Sequence, residues 1–369
     1  MNWIEDELDR IRKSSLHRER TLMEGLIDFC SNDYLGLRKH PKVIEASTKA
    51  LREFGLGSGA SQLVSGYTKL HRTLEEKLAE FKGTERCVLF GSGYLANLGT
   101  IPVLAGEGDL ILSDELNHAS LIDGCRFSKA HRAVFRHRDY EHLEELLSAH
   151  RKNFKKALIV TDSVFSMDGD IADLRRLYRI SQEYECMLYV DDAHGTGTIG
   201  RGKGALEEFS LNWREDIVVM GTLSKALGSY GAFVCGSKEL VELLTNRART
   251  LIFTTSLPPS VCAGAIASLE LIEENPGLIN SLRLMEEKLL SILKPLPYEI
   301  KFHRTPIIPI LIGSERETLR VSKHLRSKGI FIQAIRYPTV PKGKARLRLT
   351  ASLNYTDKEL TALGEALEF

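Results

Sequence analysis

"IVVMGTLSKALGSYGAF", residues 217–233, decides how this chain is read. Ile217 to Met220 are four consecutive apolar residues, the pattern of a strand buried on both faces. The run breaks into Gly221-Thr222-Leu223-Ser224, and a single ammonium group, Lys225, follows among small residues. A surface lysine needs no such setting. A lysine just past the end of a buried strand, where desolvation can lower its pKa, is placed to react.

Working outward, the same strand pattern recurs in "RCVLF" (86–90), "DLILS" (109–113), "AVFR" (133–136), "ALIVTD" (157–162), "MLYVDD" (187–192) and "AFVCGS" (232–237). Helical periodicity lies before and between them: 42–54, 70–82, from about 94, from about 118, near 140–149 and over 173–184. Short apolar strands alternating with helices predict an α/β fold with a mostly parallel sheet. An amphipathic helix over about residues 2–19 is expected to pack on the body. A long helical region runs from about 259 to 294, and "KPLPYEI" then marks a boundary. The remainder reads β-α-β-β-α, a smaller α+β domain. The expected domains are an N-terminal segment (1–40), a large α/β domain (41–294) and a small C-terminal domain (295–369).

Fifty basic residues against 49 acidic ones give a net charge of +1 in 369 residues. That balance argues against a dedicated nucleic-acid surface and against electrostatic docking to membranes. No uncharged apolar run reaches the roughly 18 residues of a membrane span, and "MNWIEDELDRIRKSS" has no signal-peptide core. A cytoplasmic protein is expected. The six cysteines, at 30, 87, 125, 186, 235 and 262, include no CxxC pair. They read as buried reduced thiols, not as disulfides or a zinc ribbon.

Ligands of open α/β sheets bind outside the carboxyl ends of strands, and this sequence collects polar groups there. Gly91-Ser92-Gly93-Tyr94 leads from a strand into a helix start, whose free N–H groups make a phosphate cradle. It also matches the GxGxxA dinucleotide fingerprint, so the owner of the phosphate stays open. A second glycine pattern, Gly195 to Gly200, lacks a following apolar helix and is discounted. His118, near a helix start, reads as a capping residue or as a ring that stacks on a flat ligand. Ser166 and Asp168 read as turn and N-cap chemistry. Asp191 ends a buried strand, where a carboxylate is costly unless something cationic meets it. A metal is one such cation, but no third and fourth ligand stands at suitable spacing; a protonated ring nitrogen is another. A phosphate, a flat ring, a cationic ring nitrogen and a carbonyl that wants an amine together describe pyridoxal 5′-phosphate (PLP), with Lys225 as the amine.

The sequence resembles the α-oxoamine synthases, a branch of the aspartate-aminotransferase-like (fold type I) PLP enzymes. The likeness runs through nine ordered blocks, among them "FCSNDYLGL" (29–37), "FGSGYLAN" (90–97), "NHASLIDG" (117–124), "VDDAHGTGTIGRGKG" (190–204), "GTLSKALGSYG" (221–231) and "YPTVPKGKARLRLT" (337–350). The resemblance implies that Lys225 bonds the cofactor's aldehyde, Asp191 pairs with the pyridine nitrogen, His194 with the phenolic oxygen, and His118 stacks on the ring. It places Gly93 and Tyr94 toward the phosphate, with Ser166 and Thr222 adding polar contacts. Thr254 and Thr255 look like phosphate contacts from a neighbouring subunit, which implies a homodimer with shared sites. Arg348 would hold the carboxylate of an amino acid, with Asn32 near the substrate.

"DDAHGTG" (191–197) is more similar to the 8-amino-7-oxononanoate synthases of biotin synthesis than to the 5-aminolevulinate synthases or the glycine-using 2-amino-3-ketobutyrate ligases. The implied reaction joins L-alanine to a pimeloyl thioester, on CoA or acyl carrier protein, with loss of CO2. That group often carries an arginine cluster after a leucine near the N-terminus; this chain departs from it with Leu16-His17-Arg18-Glu19-Arg20, where the resemblance implies Arg18 as the residue toward the substrate. Ser352 stands where a threonine is usual. The alternatives are a glycine-using ligase of the same fold and, from a different class, an NAD-dependent oxidoreductase built on "GSGYLA".

Overall fold

A computed structural model of the protein describes residues 2–14 and 16–367. The chain divides into two compact units. One comprises Asp33–Ser166 and Ile171–Asn280; the other gathers the chain up to Asn32, Met167–Asp170, and the chain from Ser281 onward.

The first unit is built on a seven-stranded sheet. Its spatial order is Arg86–Phe90, Ala232–Gly236, Ile217–Thr222, Met187–Asp191, Ala157–Asp162, Leu110–Asp114, His131–Phe135. The last five of these run parallel, and Ala232–Gly236 is antiparallel to both neighbours. The reversal follows from chain length: only residues 223–231 join it to the preceding strand, fewer than the dozen or so a parallel crossover requires. Lys225 therefore sits in a tight connection. Val88, Ile111, Val160, Tyr189, Val218 and Val234 from the strands pack with Ala96, Ile101 and Leu104 of the helix Gly93–Leu104. The helix Ala119–Phe127 approaches that helix so closely that a Cβ at Gly124 would lie 2.8 Å from the Asn97 carbonyl oxygen. In the parallel register Asp162 stands opposite Asp191, and Asp191 opposite Met220, so the strand ends carrying the polar residues are level.

The second unit holds a four-stranded antiparallel sheet, ordered Ala334–Ile335, Ala345–Thr350, Ile307–Gly313, Glu299–Ile300. The helices Glu315–Ser327 and Asp357–Ala366 belong to the same unit. The N-terminal stretch joins it through main-chain pairing: Ile27–Asp28 runs parallel to Ile330–Phe331, and Thr350 N donates to Phe29 O at 2.9 Å. The turn Met167–Asp170 also belongs here. Gly169 has φ 74°, and a Cβ on it would fall 2.5 Å from Ile307 O.

Several sequence expectations are corrected. The first helix spans Asn2–Lys13, stops short of residue 19, and has no buried residue. The region 259–294 is two helices, Pro259–Glu274 and Gly277–Leu293. Pro276 separates them, because it lacks an N–H and disfavours helix at Asn275. The helix Lys238–Arg247, capped by Ser237, escaped the strand-centred reading. Asp168 caps no helix. The cap of Leu174–Glu183 is Asp173, and Asp168 meets Arg346 Nη1 at 2.7 Å.

Candidate active site

Lys225 is held by a turn that saturates its own backbone. Gly228 N donates to Lys225 O and Ser229 N to Leu223 O, both at 2.9 Å. The Thr222 and Ser224 hydroxyls both donate to Gly231 O, and Thr222 Oγ1 accepts from Ser224 N. Thr222 thus builds the turn. Gly228, with φ 60°, leaves no room for a side chain, since a Cβ would fall 2.2 Å from Arg38 N. The Lys225 Nζ emerges 2.9 Å from His194 Nε2. On its other side, His194 Nδ1 lies 2.7 Å from the hydroxyl of Tyr34, a fully buried residue.

Asp191 ends its strand buried. One carboxylate oxygen accepts from Asn97 Nδ2 at 2.8 Å and the other from Ala193 N at 3.0 Å. Burial raises its pKa above the usual carboxylate range; the Lys225 ammonium opposes that shift most strongly, followed by the Asn97 hydrogen bond. His118 belongs to the same cluster. Burial lowers its pKa, with Asp191 opposing and Lys225 assisting. Its main-chain N donates to Asp162 Oδ2 at 2.6 Å. Asp162 is itself pushed well up, by burial first and then by the facing Asp191. The amine, the imidazole and two carboxylates therefore feel one another's charge across one set of strand ends. His118 is also the N-cap of Ala119–Phe127, its Nδ1 accepting from Ser120 N, so its structural and chemical readings coexist.

Asp192, the next residue, points elsewhere, as side chains alternate along a strand. It meets Lys82 Nζ at 2.7 Å, both being buried, and accepts from Ser163 Oγ at 2.7 Å. A Cβ at Gly195 would fall 2.0 Å, and one at Gly204 1.8 Å, from its carboxylate. Those two glycines of the second glycine-rich stretch make room for a buried ion pair.

At the head of the helix Gly93–Leu104, Ser92 Oγ accepts from Leu95 N, leaving Gly93 and Tyr94 in the first turn. Tyr94 is exposed, and its hydroxyl donates to Asp123. Thr254 lies next to this loop in its own chain, its methyl 3.8 Å from where a Cβ of Gly91 would stand. Thr255 forms an isolated bridge with Ser61, and Ser166 is half-buried.

In the second unit, Arg348 is buried on the strand Ala345–Thr350. Its Nη2 donates to Asn32 Oδ1 at 3.1 Å, and its main-chain N to Gln333 O. Ser352 is buried and its Oγ accepts from Asn354 N. Arg18 is exposed, its Nη2 donating to Thr339 Oγ1 at 3.2 Å.

Sequence reasoning passed over Asn97, Tyr34, Asp162 and Lys82. Asn97 carried a usable signal, an amide inside the otherwise apolar "GYLANLGTIPVL". Lys82 carried none, because a lysine in the last turn of a helix before Gly83 looks like a solvated dipole partner.

The donor set suits PLP. Each Asp191 oxygen has one hydrogen bond within the protein described above and retains lone-pair capacity for a ring N–H. An amine and an imidazole share its surroundings, and Asn97, which bonds it, lies near the start of the helix Gly93–Leu104. The chain matches the class I and II aminotransferase family over residues 24–367. It is 67% identical to an Aquifex aeolicus protein provisionally named 8-amino-7-oxononanoate synthase, across 100% of this chain and 98% of that one. Among solved structures it superposes on a Sphingomonas wittichii serine palmitoyltransferase with a TM-score of 0.93, at 30% identity, covering 100% of this chain and 97% of the other. The chain belongs to the α-oxoamine synthase branch of the class I and II aminotransferases. A structure of SPT with PLP matches this α-oxoamine synthase with a TM-score of 0.91, at 29% identity over 98% of this chain and 96% of that one. The fold is accordingly that of the fold type I transferases, as the sequence implied.

Proposed function

We propose that this α-oxoamine synthase binds PLP and condenses L-alanine with a pimeloyl thioester, releasing CO2 and free thiol and forming 8-amino-7-oxononanoate for biotin synthesis. The observation that carries the reading is the cluster of Lys225, His118 and the buried Asp191 and His194, in a chain that shares 67% of its residues with a relative provisionally named for that reaction. When bound, PLP supplies an electron sink for the negative charge left by a departing α-proton or carboxylate.

The chain's own residues divide the remaining work. Lys225 Nζ would hold the cofactor's aldehyde and would take and return a proton at the amino acid's α-carbon. The Asp191 carboxylate would hold the ring nitrogen protonated. His194, beside Lys225 Nζ, would pair with the phenolic oxygen. His118 would cover the ring and offer an N–H to the thioester carbonyl, where a donor is worth most as charge builds on oxygen. Gly93, Tyr94 and Ser166 would line the phosphate end. Arg348 grips the alanine carboxylate with a planar guanidinium, beside Asn32. Arg18 and Ser352 border the acyl chain.

The proposal includes a homodimer in which Thr254 and Thr255 reach the partner's phosphate. The strong exposure of Phe253 (70%), Leu56 (83%) and Val64 (78%) supports a covered surface. CoA or acyl carrier protein carries the donor; both thioesters present the same carbonyl. The test is product mass after incubation with L-alanine and pimeloyl-CoA, repeated with pimeloyl-acyl carrier protein and with glycine. A product from glycine alone, or a nicotinamide-dependent absorbance change without one, would overturn the reading. Light scattering in solution checks the dimer.

A further inference from the structure

Beneath the cluster runs a line of four side chains in which every hydrogen has one place to go. Asn97, Tyr189, Ser120 and Asp191 are at most 3% exposed. The side-chain atom of Asn97 that lies 2.8 Å from Asp191 Oδ2 must be the amide nitrogen, because a carboxylate only accepts. The Tyr189 hydroxyl fits that orientation by donating to Asn97 Oδ1 at 2.8 Å. The second amide hydrogen goes to Ser120 Oγ, also at 2.8 Å. Having accepted there, the serine hydroxyl sends its own hydrogen to His118 Nδ1 at 2.7 Å. The main-chain N–H of Ser120 points at the same nitrogen from 3.3 Å. Two donors converge on Nδ1, so the imidazole's hydrogen must be on Nε2.

We propose that Asn97 and Ser120 are positioning residues that fix His118 in its Nε2–H tautomer and make that choice depend on Asp191 being an acceptor. The inference deepens the function proposed above and rests on it. A histidine that can present a hydrogen to a carbonyl or ring from Nε2 needs Nδ1 occupied as an acceptor, and the chain of donors starting at Asp191 does this. Reversing any link, for instance by turning the Asn97 amide over, would set an amide oxygen against a carboxylate.

The test is histidine-selective 15N labelling of the purified protein with its cofactor, reading the His118 ring nitrogens, with assignment from a His118→Asn variant. Protonated and unprotonated ring nitrogens of a neutral imidazole resonate far apart, so the tautomer is read directly. The wild type should show a single neutral form with hydrogen on Nε2. Ser120→Ala should collapse that pattern toward averaged shifts and lower kcat about tenfold, the loss of one hydrogen bond, while KM for alanine changes little. Ser120→Thr, which keeps the hydroxyl, should restore both. Asn97→Leu, of similar volume, gives a second route if Ser120→Ala folds poorly. Hydrogen on Nδ1 in the wild type, averaged shifts there, or an unchanged pattern in the variants would overturn the proposal. A fixed Nε2–H form in a protein that makes no product would support the hydrogen-bond assignment and retire the proposed reaction instead.

Discussion

Lys225 Nζ stands 2.9 Å from His194 Nε2, and the same imidazole offers its other nitrogen to Tyr34 at 2.7 Å. The lysine is thereby aimed by a ring that is itself held from behind. A four-carbon side chain carries much rotamer freedom; an imidazole pinned by a buried hydroxyl restricts where its end can rest. A reactive amine benefits from that arrangement because misplacement of a reacting group is costly in rate.

Replacing Lys225 by Ala should lower kcat by about a thousandfold, in the range of a lost general base combined with a lost covalent anchor. Lys225→Arg should not rescue it, since guanidinium keeps its proton at any working pH. Steady-state product formation is the measurement. A variant within tenfold of wild type would remove Lys225 from the chemistry.

Arg348→Ala should reduce kcat/KM for alanine by about 30-fold, equivalent to roughly 2 kcal/mol for a charge-assisted hydrogen bond. The change should fall mainly on KM. Arg348→Lys should recover only part, having lost the planar fork. Equal loss for the acyl thioester and the amino acid would indicate a structural role.

Lys82→Met should destabilise the protein by about 3–5 kcal/mol, because it leaves the Asp192 carboxylate buried against an apolar group. Lys82 also donates to Thr196 Oγ1 at 2.8 Å and Lys203 O at 2.7 Å, so the loss extends to the glycine-rich turn after Asp191. Denaturant melts report it. Adding Asp192→Asn should return part of the stability, since the stranded charge is removed.

Glu75 is half-buried and its carboxyl is pushed up from 4.5 to about 7 by burial, against hydrogen bonds from Tyr67 and Leu89 N. Between those two values the folded chain holds a proton that the unfolded chain has released. Stability therefore declines as pH rises from about 4.5 to 7, by up to about 3 kcal/mol, less by whatever water reaches the side chain. Glu75→Gln cannot ionise, so its melting temperature relative to wild type should increase from pH 5 to pH 8. A constant difference across that range would contradict the shift.

Much of this architecture was legible in the sequence because its signals are local. Apolar runs such as Ile217–Met220, bounded by turn residues, read as strands buried on both faces, and polar residues at their carboxyl ends mark a ligand site. Lys225, Asp191, His118 and His194 were all found that way or through the blocks they sit in. Asn97 and Tyr34 were not, since a lone amide in an apolar helix and a tyrosine in a loop mean little until their partners are known. The first helix shows the opposite failure: its amphipathic pattern is real, yet it buries no residue in its own chain, because periodicity says which face is apolar and not what will cover it.

By itself the sequence determined the strand-and-helix alternation, the family, and the residue types at the strand ends, all of which depend on neighbours within a few positions. Only the tertiary structure decided that Asp191 and Asp192 part company, one toward Lys225 and His118 and the other onto Lys82, and that Asn97 joins Asp191 to Ser120. Those choices depend on strand register and helix packing, which bring together residues some 90 to 110 positions apart, and no local pattern encodes a hydrogen bond across that distance.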